Sequence, residues 1–392
     1  MSRPLIVLFV FLILISLLLV LPRKKGEDNS KTHPLNYLKE LISKQKGNQS
    51  PAPIVSPQPS QSPESTPAAG FKKDQYGVTL GLAGNEAYVG QALEKVAGIG
   101  VGWARVQCDW RNIEPSDNNW DWSICDSFVN QVNKNGQKPL ALLWLDSKWC
   151  RMAAKDDPKA KSKPQCTDEQ FNDYITQVVT RYKGKVTHYE IGNEPDLMPE
   201  WRDDPAQYAK TLHLAYQAIK KVDPNAKVLN GGLAACSGQN CSKTFAPAII
   251  GDSQYPALEN LDIVNYHTYA KKSDMAALYK TIRSRVGNKP IWVTEVGFPS
   301  EKAYQDARRP GYGYPAGEEG QAAYLKDVLP YLLGLGVEKV FWYSLIDVPK
   351  DKGEFCSYGL MYLPGKQCLG TAASGTDVTE KKSFAAYKSL LQ

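Results

Sequence analysis

Two short stretches decide how this chain folds: Tyr189-Glu190-Ile191-Gly192-Asn193-Glu194-Pro195 and Ile291-Trp292-Val293-Thr294-Glu295-Val296-Gly297. Each is a short apolar run rich in β-branched or aromatic residues, which is typical of a buried strand. Each run then reaches a glutamate, and a carboxylate at a strand end contributes little to packing. If both runs belong to one parallel barrel, Glu194 and Glu295 are predicted to face each other across its mouth.

The rest of the chain repeats this pattern, because β-type runs alternate with amphipathic stretches after residue 70. The strand candidates are 76–82, 103–108, 138–145, 186–193, 227–233, 261–267, 290–295 and 339–345. The helix candidates are 89–98, 122–135, 168–182, 205–221, 274–286, 317–334 and 380–391, with 243–250 as a weaker one. This alternation predicts an α/β protein with the (β/α)₈ TIM-barrel fold. A doubly wound sheet is the alternative, but the glycines of 98–102 precede a strand and are typical of a helix end.

The predicted strand ends carry further residues that suit a functional site. In a (β/α)₈ barrel, functional side chains come from the carboxyl ends of the strands. The notable residues at these ends are Arg105, Trp110, Trp144, Trp149, His267, Tyr269 and Trp342. Side chains alternate along a strand, so His267 points to the same side as Tyr269. The pattern predicts a mouth lined by charged and aromatic groups.

The composition limits the classes of function. The formal net charge of +6 is mild for 392 residues, and the basic residues are scattered through the body of the chain, which gives little support to a nucleic-acid partner. With four histidines and no C-x-x-C pair, no metal site is predicted, and nothing indicates a cofactor. The nine tryptophans suit a large core and also the stacking of sugar rings.

The eight cysteines indicate disulfides between neighbours in sequence. The predicted pairs are Cys108–Cys125, Cys150–Cys166, Cys236–Cys241 and Cys356–Cys368, although other connectivities and buried free thiols are alternatives. Disulfides favour a compartment outside the cytoplasm. The pairs flank the second, third, fifth and eighth strand-to-helix loops, and we expect them to brace those loops.

The N-terminal segment resembles a membrane anchor. Residues 4–21 are almost entirely apolar and just reach spanning length. No small-residue cleavage site follows them, which favours an uncleaved signal anchor over a cleaved signal peptide. Arg23, Lys24 and Lys25 favour a cytoplasmic position for the C-terminal side of this segment, but the cysteine pairs oppose this and carry more weight. We therefore predict a membrane-anchored protein whose main domain is extracellular or periplasmic.

The segment between the anchor and the barrel is predicted to be a linker. Residues 48–69 are rich in Pro, Ser and Gln, and such a composition buries too little apolar surface to fold. The predicted organisation is thus a transmembrane anchor with its basic flank (1–25), a disordered Pro/Ser-rich linker (26–72) and the barrel domain (73–392).

The strand-end motifs resemble those of clan A glycoside hydrolases. In that clan an acid/base glutamate follows an asparagine at the end of strand four, and a nucleophile glutamate ends strand seven. Asn193-Glu194-Pro195 and Thr294-Glu295-Val296-Gly297 match those motifs. The segments 103–122 and 223–232 are similar to glycoside hydrolase family 39 and related family 5 enzymes. Within that set, the chain from residue 76 onward most resembles membrane-tethered bacterial endoglycosidases that act on exopolysaccharide.

The resemblance implies a glycosidase that cleaves O-glycosidic bonds of an extracellular polysaccharide or oligosaccharide by double displacement, with retention. It implies Glu295 as the nucleophile and Glu194 as the acid/base. Arg105 and Tyr269 would keep Glu295 charged. The implied substrate-binding residues are Arg105, Asn193, His267, Tyr269 and Trp342, with Trp110, Trp144 and Trp149 as outer aromatic platforms.

Two positions depart from the clan pattern. Gly192 precedes Asn193 where tryptophan is frequent, and the region after strand three holds Trp144 and Asp146 where histidine is frequent. The alternatives to a hydrolase are a catalytically inactive carbohydrate-binding protein on the same barrel and a transglycosylase that uses the same residues. The presence of both glutamates favours an enzyme.

Overall fold

The computed structural model describes residues 72–81, 86–151, 164–234, 244–348, 353–365, 368 and 375–392. The predicted anchor, nearly all of the predicted linker and the Cys236–Cys241 pair lie outside these residues. None of the helices in these ranges combines the length and apolarity needed to cross a bilayer.

Eight strands match the eight predicted ones: β1 (Tyr76–Thr79), β2 (Trp103–Asp109), β3 (Lys138–Trp144), β4 (His188–Ile191), β5 (Lys227–Asn230), β6 (Val264–Thr268), β7 (Ile291–Val296) and β8 (Lys339–Tyr343). They pair in parallel in the order β5-β4-β3-β2-β1-β8-β7-β6, and the two-residue strand Leu233–Ala234 adds to β6. A parallel bridge between Leu229 and Ile263 links the two ends of the sheet. The result is a nearly closed parallel barrel of nine strands, so the TIM-type α/β fold is confirmed.

Helices follow most of the strands. They are α1 (Glu86–Gly98), α2 (Trp110–Ile113), α3 (Ser123–Lys134), α4 (Asp168–Tyr182), α5 (Pro199–Arg202), α6 (Pro205–Val222), α7 (Phe245–Ile250), α8 (Lys272–Val286), α9 (Lys302–Arg308), α10 (Glu318–Leu335) and α11 (Lys382–Leu391). Local sequence sets their starts. The hydroxyl of Thr167 accepts from the backbone N–H of Gln170 in a capping box, and Asp204 caps α6 just before Pro205.

The end of the barrel opposite the strand carboxyl ends is filled. A small core cluster lies there, made of Trp103, Leu140, Leu229, Ile263, Trp292 and Phe341. The rings of Trp103 and Trp292 meet edge to face at 5.2 Å, and the ammonium of Lys339 lies 5.0 Å from the Trp103 ring centroid. Because this end is packed, the accessible part of the barrel interior is the mouth formed by the strand carboxyl ends.

Short elements follow β8, and one of them reaches the mouth of the barrel. The strands β9 (Met361–Tyr362) and β10 (Thr379–Glu380) pair antiparallel. Just before β9, a 3₁₀ turn spans Glu354–Ser357 and carries Phe355 to the mouth.

Three of the predicted disulfides are confirmed. They are Cys108–Cys125, Cys150–Cys166 and Cys356–Cys368, with Cα–Cα separations of 5.1, 5.0 and 5.6 Å. The first ties β2 to α3, the second closes the loop between β3 and α4, and the third closes the loop after β8. Each bridge constrains a segment at or next to the mouth, as expected.

Candidate active site

Glu194 and Glu295 meet at the mouth of the barrel. Glu295 lies within β7 and is 8% exposed, whereas Glu194 lies three residues beyond β4 and has a left-handed φ of 45°. Such a conformation costs a non-glycine residue roughly 1–3 kcal/mol and is concentrated at functional sites. Carboxylate oxygens of the two residues lie within 4.8 Å of each other. This separation suits a retaining pair at about 5–5.5 Å and is too short for an inverting pair at about 6.5–9.5 Å.

Arg105 on β2 donates hydrogen bonds to three residues at this site, one of which is Glu295. Its Nε donates to Glu190 Oε2 at 2.7 Å and its Nη2 to Glu190 Oε1 at 2.9 Å. The same Nη2 donates to Asn193 Oδ1 at 2.8 Å, and Nη1 donates to Glu295 Oε1 at 2.6 Å. Burial alone would lower the pKa of Arg105, but Glu190 and Glu295 outweigh it and raise that pKa. The guanidinium is therefore a fixed positive charge that orients the nucleophile candidate.

Glu295 is held in its ionised form. Burial by itself raises a carboxyl pKa, but His267, Arg105 and the hydroxyl of Tyr269 overcome that effect, so the pKa of Glu295 lies below its usual value. The Tyr269 hydroxyl donates to Glu295 Oε2 at 2.7 Å. Arg105 and Tyr269, both predicted from the sequence, thus occupy different oxygens of one carboxylate.

His267 on β6 lies between the two glutamates. Its Nδ1 is 2.9 Å from Glu194 Oε1 and 3.5 Å from Glu295 Oε2, and its Nε2 is 3.1 Å from Thr294 Oγ1. Burial alone would lower the pKa of this imidazole, but Glu295 and Glu194 outweigh burial and raise it. The ring can therefore carry a proton next to the acid/base candidate.

The pocket at the mouth is lined by ten residues: Thr79, Arg105, Gln107, Trp144, Asn193, Glu194, Tyr269, Glu295, Tyr343 and Phe355. Near their carboxyl ends, the eight barrel strands leave only three residues partly exposed, and these are Gln107, Trp144 and Tyr343. They lie on β2, β3 and β8, which form one continuous wall with β1. The pocket thus offers an aromatic and amide wall between the two carboxylates.

Three of the predicted aromatic contacts are not formed. Trp342 is fully buried, its Nε1 donates to the carbonyl of Tyr358, and its ring packs on Tyr324 of α10. The next residue, Tyr343, faces the pocket instead, since neighbours on a strand point to opposite sides. The assignment of Trp342 as the floor of the central subsite is therefore wrong.

The tryptophans predicted as outer aromatic platforms also differ in whether they reach the pocket. Trp144 lines the pocket. Trp110 is fully buried and stacks on Tyr174 at 4.6 Å, and Trp149 donates from Nε1 to the carbonyl of Glu114 while contacting Trp110 edge-on. Neither Trp110 nor Trp149 reaches the pocket, because both belong to the packing beneath the second and third loops.

Some site residues were not assigned a role from the sequence. Thr79, Gln107 and Phe355 line the pocket, and Thr294 contacts His267 beside the glutamates. Gln107 lies two residues after Arg105, and Glu190 lies four residues before Glu194. The alternation of side chains along a strand therefore predicts that Gln107 is on the side of Arg105 and Glu190 on the side of Glu194. Nothing in the sequence around Phe355 distinguishes it, because its position depends on how the loop after β8 folds back.

One group of side chains has the donor set for a metal ion. Single ligand atoms of Glu194, His267 and Glu295 lie within 4.8 Å of one another. However, both oxygens of Glu295 already accept hydrogen bonds, one from Arg105 and one from Tyr269. A cation placed there would compete with the Arg105 guanidinium, so these residues fit proton transfer better than metal binding.

Comparison with known proteins agrees with this geometry. The sequence model of the family described as cellulase (glycosyl hydrolase family 5) matches residues 67–321, which is more than half of the chain and includes both glutamates. A glucuronoxylanase, XynC of Bacillus subtilis, is 24% identical over 181 residues, which cover 46% of this chain and 36% of that relative. The chain thus spans only about a third of that relative.

Solved structures share the fold. A family 39 glycoside hydrolase from the gut symbiont Bacteroides cellulosilyticus WH2 superposes with a TM-score of 0.58 at 18% identity, covering 82% of this chain and 64% of that one. A family 39 β-xylosidase from Caulobacter crescentus gives a TM-score of 0.55 at 19% identity, covering 82% and 72%. At these identities the likeness establishes the barrel alone.

Proposed function

This chain belongs to glycosyl hydrolase family 5, the cellulase family, and on that premise we propose that Glu295 is its nucleophile and Glu194 its acid/base in the hydrolysis of an extracellular polysaccharide or oligosaccharide. It is a retaining clan A glycosidase, and the geometry of the site supports the roles that we propose for these residues. The observation that carries the proposal is the 4.8 Å limit on the separation of the two carboxylates. A nucleophile must touch the anomeric carbon while the acid touches the departing oxygen, and only a short separation permits both.

In the first displacement, Glu295 is ionised and Glu194 is protonated. Glu295 attacks the anomeric carbon and forms a covalent bond from its carboxylate oxygen, while the bond to the departing sugar oxygen breaks. Glu194 donates its proton to that oxygen, so the leaving group departs as an alcohol. The lowered pKa of Glu295 keeps it ionised for this step, with burial opposed by His267, Arg105 and Tyr269.

The second displacement reverses these roles. Glu194, now ionised, takes a proton from water, and the water oxygen attacks the anomeric carbon. The bond to Glu295 breaks, and its carboxylate returns to the hydrogen bonds from Arg105 and Tyr269. Two inversions at one carbon give net retention.

The remaining lining residues are assigned to the sugar. Asn193 accepts from Arg105 through Oδ1, so its Nδ2 is left to donate to the 2-hydroxyl. The amide of Gln107 has no hydrogen bond to another residue in the part of the chain that the structure describes, and it faces the same pocket. Tyr343, Phe355 and Trp144 supply the apolar faces on which a sugar ring can stack.

The location and the substrate are part of the proposal. The three disulfides support an oxidising compartment, and the apolar segment 4–21 supports attachment of the enzyme to a membrane on its outer side. By their names, the sequence relative is a glucuronoxylanase and one structural neighbour is a β-xylosidase. A screen should therefore begin with xylan and glucuronoxylan and extend to β-glucan, mannan, galactan and bacterial exopolysaccharides.

Product stereochemistry tests the proposal. On the glycan found in the screen, proton NMR of the first product should show the anomer of the substrate. Glu295→Gln should abolish turnover, and Glu194→Ala should lose about 10²–10⁴-fold, with part of the loss recovered by azide as an external nucleophile. Glu169→Gln on the exposed side of α4 is the matched control and should keep wild-type activity.

Three results would contradict the proposal or redirect it. Inverted product, or wild-type turnover by Glu295→Gln, would overturn the assigned roles. Longer oligosaccharides in place of hydrolysis products would indicate a transglycosylase with the same residues. Binding to a glycan without any turnover would indicate the carbohydrate-binding alternative.

A further inference from the structure

Thr294 precedes Glu295 on β7 and has no exposed surface. Its Oγ1 lies 2.8 Å from Asn265 Nδ2, 3.0 Å from Asn265 Oδ1, 3.1 Å from His267 Nε2 and 3.4 Å from Glu190 Oε1. A hydroxyl has one hydrogen and two lone pairs, so these contacts have to be divided between donation and acceptance. That division determines which nitrogen of His267 carries a fixed hydrogen.

The neighbours of Thr294 indicate in which contacts its hydroxyl donates and in which it accepts. The backbone N–H of Thr294 donates to Asn265 Oδ1 at 3.3 Å, which fixes the amide so that its Nδ2 donates to Thr294 Oγ1. The hydroxyl hydrogen then has two oxygen acceptors, Glu190 Oε1 and Asn265 Oδ1. Donation to either of them leaves a lone pair of Oγ1 for the Nε2–H of His267.

We propose that Thr294 is a positioning residue that keeps the hydrogen of His267 on Nε2, so that the exchangeable proton of the imidazole lies on Nδ1, next to Glu194. Glu194 and His267 then share one proton across 2.9 Å. While the pair holds this proton, either Glu194 carries it and donates to a neutral Nδ1, or Nδ1 carries it and the imidazolium donates to an ionised Glu194. Transfer of the proton to the leaving group leaves Glu194 ionised beside a neutral imidazole whose hydrogen is on Nε2, and the proton taken from water restores the pair.

The surroundings of the ring support this assignment. The charged groups that face His267 are Glu194 beyond β4, Glu295 on β7, Arg105 on β2 and Asp196 in the loop after Glu194, while Glu190 reaches it through Thr294. Burial opposes a charge on the imidazole, but Glu295 and Glu194 together raise the pKa of His267.

The Nε2 side of the ring is closed. A Cβ built on Gly232 would lie 2.0 Å from His267 Nε2, so the Gly232 backbone packs directly against this nitrogen. Among the described residues, the Thr294 hydroxyl is the group within hydrogen-bonding distance of Nε2. An Nε2–H without Thr294 would be a buried donor with no acceptor, which is unfavourable.

The test is the protonation of the His267 nitrogens, measured by nitrogen-15 NMR of histidine-labelled protein as a function of pH. The His267 signals are identified by their loss in His267→Asn, since the chain has four histidines. In the wild type and in Thr294→Ser, Nε2 should remain protonated throughout, and only Nδ1 should titrate. In the nearly isosteric Thr294→Val, the hydrogen should move to Nδ1 and the titration midpoint should change.

Two outcomes overturn the proposal: an Nε2 that loses its hydrogen in the wild type, or a Thr294→Val spectrum that matches the wild type. If Thr294→Val does not fold, the wild-type and Thr294→Ser spectra still decide the position of the hydrogen. This measurement needs no substrate, so its outcome does not depend on the proposed function. Only the role of the shared proton in catalysis rests on that function.

Steady-state kinetics then tests whether the shared proton takes part in catalysis. Thr294→Val should lower kcat by about 10-fold or more with little change in KM, and it should displace the limb of the pH profile that reports the Glu194–His267 pair. Thr294→Ser should retain the wild-type profile. A fall in activity without any displacement of the profile would indicate a structural role only.

Discussion

Arg105 and Glu190 form a bidentate ion pair at the barrel axis, with Nε to Oε2 at 2.7 Å and Nη2 to Oε1 at 2.9 Å. The Arg105 side chain is 1% exposed and the Glu190 side chain is fully buried. Charges this deeply buried are stable only when they are paired and hydrogen-bonded. Glu190 therefore fixes the guanidinium plane, and the remaining nitrogen edge of Arg105 is directed at Glu295.

We expect Glu190→Gln to impair both stability and turnover, although Glu190 does not line the pocket. The substitution removes one charge of a buried pair, which costs about 3–5 kcal/mol in the free energy of unfolding. Arg105 would then shift relative to Glu295, so kcat should fall more than KM rises. Urea unfolding and steady-state kinetics check these effects, with Glu169→Gln on α4 as control, and an unchanged kcat would show that Arg105 keeps its position without Glu190.

Tyr269→Phe should move the acid limb of the pH profile to higher pH. The Tyr269 hydroxyl donates to Glu295 and, together with His267 and Arg105, holds the pKa of Glu295 below its usual value against the effect of burial. Without this hydroxyl the pKa of Glu295 rises, so this carboxylate, the proposed nucleophile, becomes protonated at a higher pH. The lost hydrogen bond to a charged group corresponds to about 1.5–3 kcal/mol, or roughly 10-fold or more in kcat/KM.

The control for this prediction is Tyr216→Phe, on the outer helix α6, which should leave the profile unchanged. A Tyr269→Phe profile that has the wild-type acid limb, or one shifted to lower pH, would contradict the assigned role of the hydroxyl.

Gly232→Ala should inactivate the enzyme without unfolding it. The added Cβ would lie 2.0 Å from His267 Nε2, and a ring atom of a buried histidine has nowhere to move except toward Glu194 and Glu295. A displacement of catalytic groups by about 1 Å can cost about 100-fold in rate. Gly98→Ala is the matched control, because a Cβ at that position meets nothing within 4 Å, and circular dichroism should report folded protein for both variants.

The sequence predicted the barrel and the meeting of Glu194 and Glu295 at its mouth because both follow from local patterns. Each glutamate ends an apolar run, and the register of a parallel barrel brings such ends together. The three confirmed disulfides join cysteines that are near in sequence, with separations of 17, 16 and 12 residues.

The contacts that were missed depend on details that a sequence pattern does not contain. Trp342 and Tyr343 are neighbours on β8, and which of them faces inward depends on a single step of register. The pairing of β7 with β8 shifts register between Val293 and Val296, so the alternation cannot be extended across the pair from the sequence. Phe355 reaches the pocket only through the fold of the loop after β8, which is a tertiary property.

Lys381→Met should destabilise the packing of the segments that follow β7 and β8. Lys381 Nζ donates to Asp347 Oδ1 at 2.7 Å and to Ser300 Oγ at 2.9 Å, and this buried pair ties the segment after β8 to the loop after β7. Removing the cation leaves the Asp347 carboxylate buried and without its partner, which costs about 3–5 kcal/mol near neutral pH. Urea unfolding measures the loss, and Lys382→Met at the exposed neighbouring position is the control.

The same variant should recover stability as the pH falls. Burial raises the pKa of Asp347 to about 6 in spite of Lys381 and the Gly359 N–H, and loss of the lysine can only raise it further. Between this pKa and the lower value of an unfolded aspartate, the folded state binds more protons, so stability increases as the pH decreases through that range. A deficit at pH 5 equal to that at pH 7.5 would contradict this account.

Tyr343 and Trp342 provide the most direct contrast between a residue that lines the pocket and a residue of the core. Tyr343 lines the pocket beside Phe355, with ring centroids 6.0 Å apart, so Tyr343→Ala should raise KM by about 10-fold, equivalent to roughly 1.4 kcal/mol, with little effect on stability. Trp342 has no exposed surface and packs on Tyr324, so Trp342→Phe should lower the free energy of unfolding by about 1–3 kcal/mol and leave KM unchanged. Paired urea unfolding and kinetics on the screened glycan separate the two cases, and a raised KM in Trp342→Phe with an unaltered KM in Tyr343→Ala would reverse the assignment of the sugar platform.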